Sequence, residues 1–190
     1  MRKDFGRRAV VAPLPVLIVG TYDENNVPNA MNVAWGGQCS EHHVALNLGH
    51  KRKTLDNMRL TGAFTVSFAT VDTVVAADYY GDVQGYGVNK IEVADHHAVK
   101  SPNVNAPIIE EFPLTLECRF VREEETPEGE VRVVGEVVNM SADESILDEN
   151  GKIDLGKARL ITFDSASLIY REIGATSVGD AFTIGRQLLK

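Results

Sequence analysis

Val44-Ala45-Leu46-Asn47-Leu48-Gly49-His50-Lys51-Arg52-Lys53-Thr54-Leu55-Asp56-Asn57-Met58-Arg59-Leu60, followed by Gly62 and then Ala63-Phe64-Thr65-Val66-Ser67-Phe68, decides the reading of this chain. Val44 to Leu48 is a short apolar strand. From Thr54 onward, Leu55 and Met58, with Leu60 on a neighbouring face, recur at helical spacing. Thr54 is suited to cap that helix, Asp56 and Asn57 fall in its favourable first turn, and Gly62 stops it. The alternation from Ala63 to Phe68 is that of a half-buried strand. The order is therefore strand, cationic loop, short helix, strand. A bound phosphate needs fixed N–H donors, a hydroxyl and positive charge, and a helix opening supplies donors and dipole together. Arg52, Lys53 and Thr54 stand at that opening. By itself Lys51-Arg52-Lys53 reads equally as a solvated surface turn.

Upstream, residues 9–19 carry Val10, Val11, Val16, Leu17, Ile18 and Val19, interrupted by Pro13 and Pro15, so an extended lead-in runs into a buried strand ending at Gly20. Tyr22-Asp23-Glu24-Asn25-Asn26-Val27-Pro28 is a polar turn, and the chain then returns through Asn29-Ala30-Met31-Asn32-Val33-Ala34-Trp35 as the second arm of a hairpin. An isoalloxazine demands backbone N–H and C=O groups facing its pyrimidine edge and an apolar wall on one face. An extended run of small residues, amides and one tryptophan offers both, although a strand with one buried tryptophan needs no ligand. Joined to the cationic loop, the two segments read as one flavin mononucleotide (FMN) site.

Farther along, residues 72–80 are alanine-rich and expected to be helical. Gly81-Asp82-Val83-Gln84-Gly85-Tyr86-Gly87-Val88-Asn89-Lys90 is a glycine-punctuated loop able to close over a ligand and bring the Lys90 ammonium to it. Residues 114–122 and 131–140 are two long strands joined by a charged hairpin tip, and shorter extended pieces follow at 160–163 and 168–170. The glycines at 81, 85 and 87 do not form a dinucleotide fingerprint. Asp148-Glu149-Asn150-Gly151 lacks the spacing and closing glutamate of an EF-hand loop. His42-His43 and His96-His97 are adjacent pairs whose members point to opposite faces, so no metal site is expected, and His50 is placed beside the ligand by position alone. Strand signals dominate, which fits a closed antiparallel barrel with helical additions.

At 190 residues, with 44% hydrophobic and 24% charged residues, one soluble domain over residues 1–190 is expected. A formal net charge of -8 argues against a nucleic-acid partner. No run approaches the roughly 18 to 20 apolar residues of a membrane span, and the first residues lack a signal-type apolar core, so a cytoplasmic protein is expected. Cys39 and Cys118 are read as reduced structural thiols. No serine, cysteine or carboxylate constellation for covalent catalysis is present, so no catalytic side chain is assigned.

Taken in order, Pro15-Val16-Leu17-Ile18-Val19-Gly20-Thr21, Asn29-Ala30-Met31, Arg52-Lys53-Thr54, Gly85-Tyr86-Gly87-Val88-Asn89-Lys90, Ala106-Pro107-Ile108-Ile109, Leu116-Glu117-Cys118, Tyr170-Arg171-Glu172-Ile173-Gly174 and Gly179-Asp180-Ala181-Phe182-Thr183-Ile184-Gly185 resemble the flavin reductase-like, FMN-binding split-barrel proteins, and within them the flavoredoxin branch. The resemblance implies a mainly β, six-stranded antiparallel Greek-key split barrel with a few peripheral α-helices. It also implies a homodimer holding FMN noncovalently near the subunit interface. By match, Asn29, Ala30, Met31, Asn32, Val33, Ala34 and Trp35 contact the ring and ribityl chain, and Leu48, Gly49 and His50 lie in the ring's neighbourhood. Arg52 and Thr54, with Lys53 between them, meet the phosphate, and Lys90 meets the ring edge. Relatives commonly show Ser-Gly and Asp-Lys where this chain has Gln84-Gly85 and Asn89-Lys90. The implied activity is an oxidoreductase passing electrons from NAD(P)H or a protein donor through FMN to an acceptor. The alternatives are an FMN-binding electron carrier served by a partner reductase, and a barrel that binds another ligand such as haem or a different flavin.

Overall fold

The computed structural model describes residues 1–189 and is mainly β. The elements in chain order are β1 (Leu17–Tyr22), β2 (Pro28–Val33), β3 (Gly36–Ser40), β4 (His43–Gly49), α1 (Lys53–Thr61), β5 (Ala63–Phe68), α2 (Val74–Asp82), α3 (Lys90–Val93), β6 (Ala98–Lys100), β7 (Pro107–Ile109), β8 (Leu114–Glu125), β9 (Glu130–Ala142), β10 (Ile161–Asp164) and β11 (Ile169–Glu172).

Seven strands form one antiparallel sheet in the order β2-β1-β5-β8-β9-β4-β3. β1 pairs with β5 and β4 with β9 across long stretches of sequence, so the sheet is not a simple meander. Six strands follow from the family resemblance; the seventh arises because Gly36–Ser40 pairs along β4 as an edge strand. The sheet curls until its two ends meet. β2 and β4 approach without a ladder, and the N–H of Asn47 donates to the Trp35 carbonyl at 2.8 Å. A barrel split at one seam results.

β1 is buried on both faces, which explains its unbroken apolar run. Leu17 and Val19 point into the barrel with Leu46, Phe64 and Val133, whereas Val16 and Ile18 pack outward against Ala77, Tyr80 and Ile91 of α2 and α3. Leu55 and Met58 of α1 complete the barrel interior, as their spacing requires. Gly62 closes α1 at φ +67°, a left-handed conformation that costs glycine little, and its N–H donates to the Met58 carbonyl at 2.9 Å.

Three local expectations are corrected. The cap of α1 is Arg52, not Thr54, and no side chain bonds there; Thr54 sits one step inside the helix with its hydroxyl taken up by a tertiary contact. The glycine-rich loop ends in a short helix instead of running on through Lys90, with the Asn89 side chain accepting from the Glu92 N–H at 3.4 Å. β8 and β9 extend well past residues 122 and 140, because their solvated charged ends continue the ladder to Glu125 and Val131 at the tip. Of the two thiols, Cys118 is buried in the barrel and Cys39 is exposed on β3.

Glu117 is a buried carboxylate on β8. It accepts from Ser101 Oγ, from Asn139 Nδ2 at 2.5 Å and from Asn103 Nδ2 at 3.0 Å, and so ties residues 101–103 to the sheet. Burial alone would raise its pKa, but these hydrogen bonds prevail and hold it below the ordinary 4.5. A depressed carboxylate contributes stability above its unfolded pKa and loses it as pH falls through the folded value. Glu117→Gln is therefore expected to lower unfolding free energy by about 1–3 kcal/mol at pH 7. The difference from the parent, read by urea melts, should shrink below about pH 4. An equal deficit at all pH values contradicts the assignment.

Candidate functional site

The seam of the barrel is lined by the two segments that dominate the sequence. A cavity of about 200 Å3 is bounded by Met31, Asn32, Val33, Ala34 and Trp35 from β2 and its exit, by Leu48 and Gly49 from the end of β4, and by Arg52 at the opening of α1. Leu48 and Val33 are buried beneath it, whereas Trp35 stands 48% exposed at its edge. The side chain of Arg52 folds over Gly49, where an added Cβ would lie 3.7 Å from Nε. Arg52 makes no ion pair among the described residues, so its guanidinium is available to an anion. Behind it, the N–H groups of Lys53 and Thr54 belong to the first helical turn and lack intrahelical acceptors.

Its neighbours are committed elsewhere. Lys53 Nζ pairs with Asp23 Oδ2 at 2.9 Å, binding the β1–β2 turn to α1. Burial alone would raise the Asp23 carboxyl, but the Lys53 ammonium and the N–H groups of Val27 and Asn25 hold it below its usual range. Thr54 is buried, and its hydroxyl accepts from Asn29 Nδ2 at 2.9 Å. Lys90 is 2% exposed and donates to the carbonyls of Tyr80 and Val83 at 2.9 and 3.0 Å, closing the C-terminal end of α2. Burial first, then the charges of Arg52 and Lys53, lower its pKa to about 8. Three cations thus converge on one corner with Asp23 as the paired carboxylate, in a chain whose net charge is -8. The corner is a pocket of positive potential that an anion relieves.

The glycine-rich loop lies against this corner. Tyr86 donates to Asp56 Oδ2 at 2.7 Å, and Gly85 is buried against Asn29, where a Cβ would fall 2.3 Å from Oδ1. That Oδ1 is buried without a partner among the described residues. An orphaned acceptor beside free N–H and guanidinium donors suits a ligand carrying both hydroxyls and an anionic end.

Eight of the sequence-derived residues, Met31, Asn32, Val33, Ala34, Trp35, Leu48, Gly49 and Arg52, line one cavity. The others do not. Ala30 faces outward to the α2 side, His50 is exposed on the turn, Asn29 and Thr54 lie beneath the corner, and Lys53 and Lys90 are engaged as described. Asn47, Gly81 and Glu130 line the cavity and escape the sequence reading. Asn47 alternates with buried Leu46 and Leu48 and was legible as an outward residue. Gly81 and Glu130 arrive by topology, Glu130 through its pairing with Gly49. A second cavity of about 390 Å3 adjoins the first, sharing Asn32, Ala34 and Gly81. Neither is lined by a cysteine or histidine, and no cluster of three metal-ligating side chains occurs among the described residues.

The family model described as flavin reductase like domain matches residues 9–171. A curated relative, an uncharacterized protein of Archaeoglobus fulgidus, is 30% identical over 130 residues, covering 67% of this chain and 72% of the relative. Among solved structures, the flavoredoxin of Desulfovibrio vulgaris (Miyazaki F) superimposes with a TM-score of 0.92 at 31% identity, over 97% of this chain and 100% of that one. The flavoredoxin of Methanosarcina acetivorans does so with a TM-score of 0.88 at 24% identity, over 99% of each chain. Fold, seam and sequence agree, and the chain belongs to the flavin reductase-like domain family.

Proposed function

We propose that this chain is an FMN-binding oxidoreductase that passes electrons from NAD(P)H or a protein donor to an acceptor, and works as a homodimer. The observation that carries the reading is the single unpaired guanidinium of Arg52, set in one cavity with the flat Met31–Trp35 wall. Bound FMN supplies a ring that takes up and releases electrons. The chain's residues do the rest: Arg52 and the first-turn N–H groups of α1 hold the phosphate, Leu48 and Val33 exclude water beneath the ring, and Trp35 covers its edge. No side chain has to act as acid or base.

The homodimer is supported by residues 173–189, none of which is buried. Val178, Phe182, Leu188 and Leu189 are each at least four-fifths exposed, an apolar surface that a second copy would cover.

The purified protein mixed with FMN is expected to be yellow and to bleach with NADH, NADPH or a reduced protein donor; failure to retain FMN refutes the reading. Arg52→Gln should weaken FMN binding about tenfold or more without lowering Tm, measured by quenching of flavin fluorescence. Because an anion raises the Lys90 pKa, binding takes up a proton above pH 8. Affinity is then highest where Lys90 is charged and falls severalfold, roughly, between pH 8 and 9.5; a flat profile contradicts the electrostatic coupling. Removing residues 173–190 should shift the sedimentation coefficient from dimer to monomer, and an unchanged dimer excludes the tail from the interface.

A further inference from the structure

The larger cavity, about 390 Å3, has the opposite electrostatic character from the corner at Arg52. Its walls are Val16, Phe163 and Tyr170, and its charged lining is Asp78 and Asp82, with no cationic residue. The rings of Phe163 and Tyr170 lie 6.0 Å apart at 52°, forming an angled aromatic wall. Tyr170 donates to Asp78 Oδ1 at 2.7 Å, which fixes that carboxylate, and Asn32 Nδ2 is turned away to the Ala77 carbonyl at 3.0 Å. Asp82 makes no ion pair or hydrogen bond among the described residues.

The placement of the two carboxylates on α2 is an independent sign. Asp78 and Asp82 are four residues apart on one helix face, and they stand in its last turns, which carry no basic residue. Like charges at this spacing repel, and negative charge at a helix C-terminus opposes the dipole. Lys90 answers the end carbonyls of α2, but nothing answers the carboxylates. A helix carrying this cost at the edge of a cavity matches the pattern of a binding site, where local stability is given up for a ligand.

We infer that this alcove binds a flat, cationic aromatic group of the N-alkylpyridinium class beside the flavin. The inference rests on the proposed FMN site, because the two cavities share Asn32, Ala34 and Gly81. Aromatic faces and unpaired carboxylates together favour a planar cation, by cation–π and Coulomb attraction, and repel an anion of the same shape. The seam is thus polar end to end: the Arg52 corner takes the phosphate, and the alcove selects its partner by positive charge.

The test is a calorimetric titration of FMN-loaded protein with 1-methylnicotinamide, nicotinamide and nicotinate, which keep one ring and change its charge. The expected order of affinity is cation, then neutral, then anion, and the preference should fade as salt is raised to about 0.5 M. Asp82→Asn is expected to weaken 1-methylnicotinamide about three- to fivefold, to leave FMN affinity unchanged and to raise Tm slightly, the last two being results that a damaged fold would not give. Nicotinate binding as well as the cation, or a cation affinity untouched in the Asp78→Asn, Asp82→Asn double variant, overturns the inference. Cation binding only to flavin-free protein, in competition with FMN, shows that the flavin itself fills the alcove and also overturns it, while the FMN reading stands. If the protein takes up no FMN, that reading falls instead, and the same titration of the flavin-free protein decides the alcove alone.

Discussion

A single backbone hydrogen bond, from the Asn47 N–H to the Trp35 carbonyl at 2.8 Å, joins the two ends of a seven-stranded sheet that would otherwise stay open. The hairpin β1–β2 lies at one end of that sheet and β4 near the other, so residues remote in the hydrogen-bonding order become neighbours only when it curls. With the seam closed, the Met31–Trp35 wall faces Leu48, Gly49 and Arg52 across a narrow cavity. Two further contacts fix this geometry from beneath: the Asn29 amide on the Thr54 hydroxyl and the Lys53 ammonium on Asp23. Both tie the hairpin to the opening of α1, so ring wall and anion corner move as one unit.

Charge is distributed against the protein's overall balance. The chain is acidic, yet Arg52, Lys53 and Lys90 gather at one corner, where the depressed pKa of Lys90 records burial and their mutual repulsion. Asp23 neutralises Lys53, and the Tyr80 and Val83 carbonyls hold Lys90, which leaves Arg52 as the group with no internal partner. A few ångströms of shared wall separate that corner from the aromatic alcove with its two carboxylates. A dipolar seam of this kind orients a charged ligand before any specific contact forms.

What could be read from the sequence was local. The hairpin followed from its turn residues, α1 from the spacing of Leu55 and Met58 and from Gly62, and eight cavity residues from two contiguous segments whose periodicity was unambiguous. What could not be read was set by contacts between distant elements. Thr54 has the chemistry of a cap, but Asn29, 25 residues earlier, claims its hydroxyl. Lys90 follows a glycine-rich stretch and looks like a loop cation, yet packing of α3 against the sheet buries it under the end of α2. Gly81 and Glu130 enter the cavity through sheet order and register, which no local pattern records.

The central claim is that an anionic flavin lies in the seam with its phosphate on Arg52 and its ring against Met31–Trp35. The crystal structure of the protein grown with FMN tests this most directly. The account predicts phosphate density within hydrogen-bonding distance of the Arg52 guanidinium and the first-turn N–H groups of α1, with the ring along the β2 wall. Phosphate density at any other cationic site, or a ring outside the seam, would contradict it.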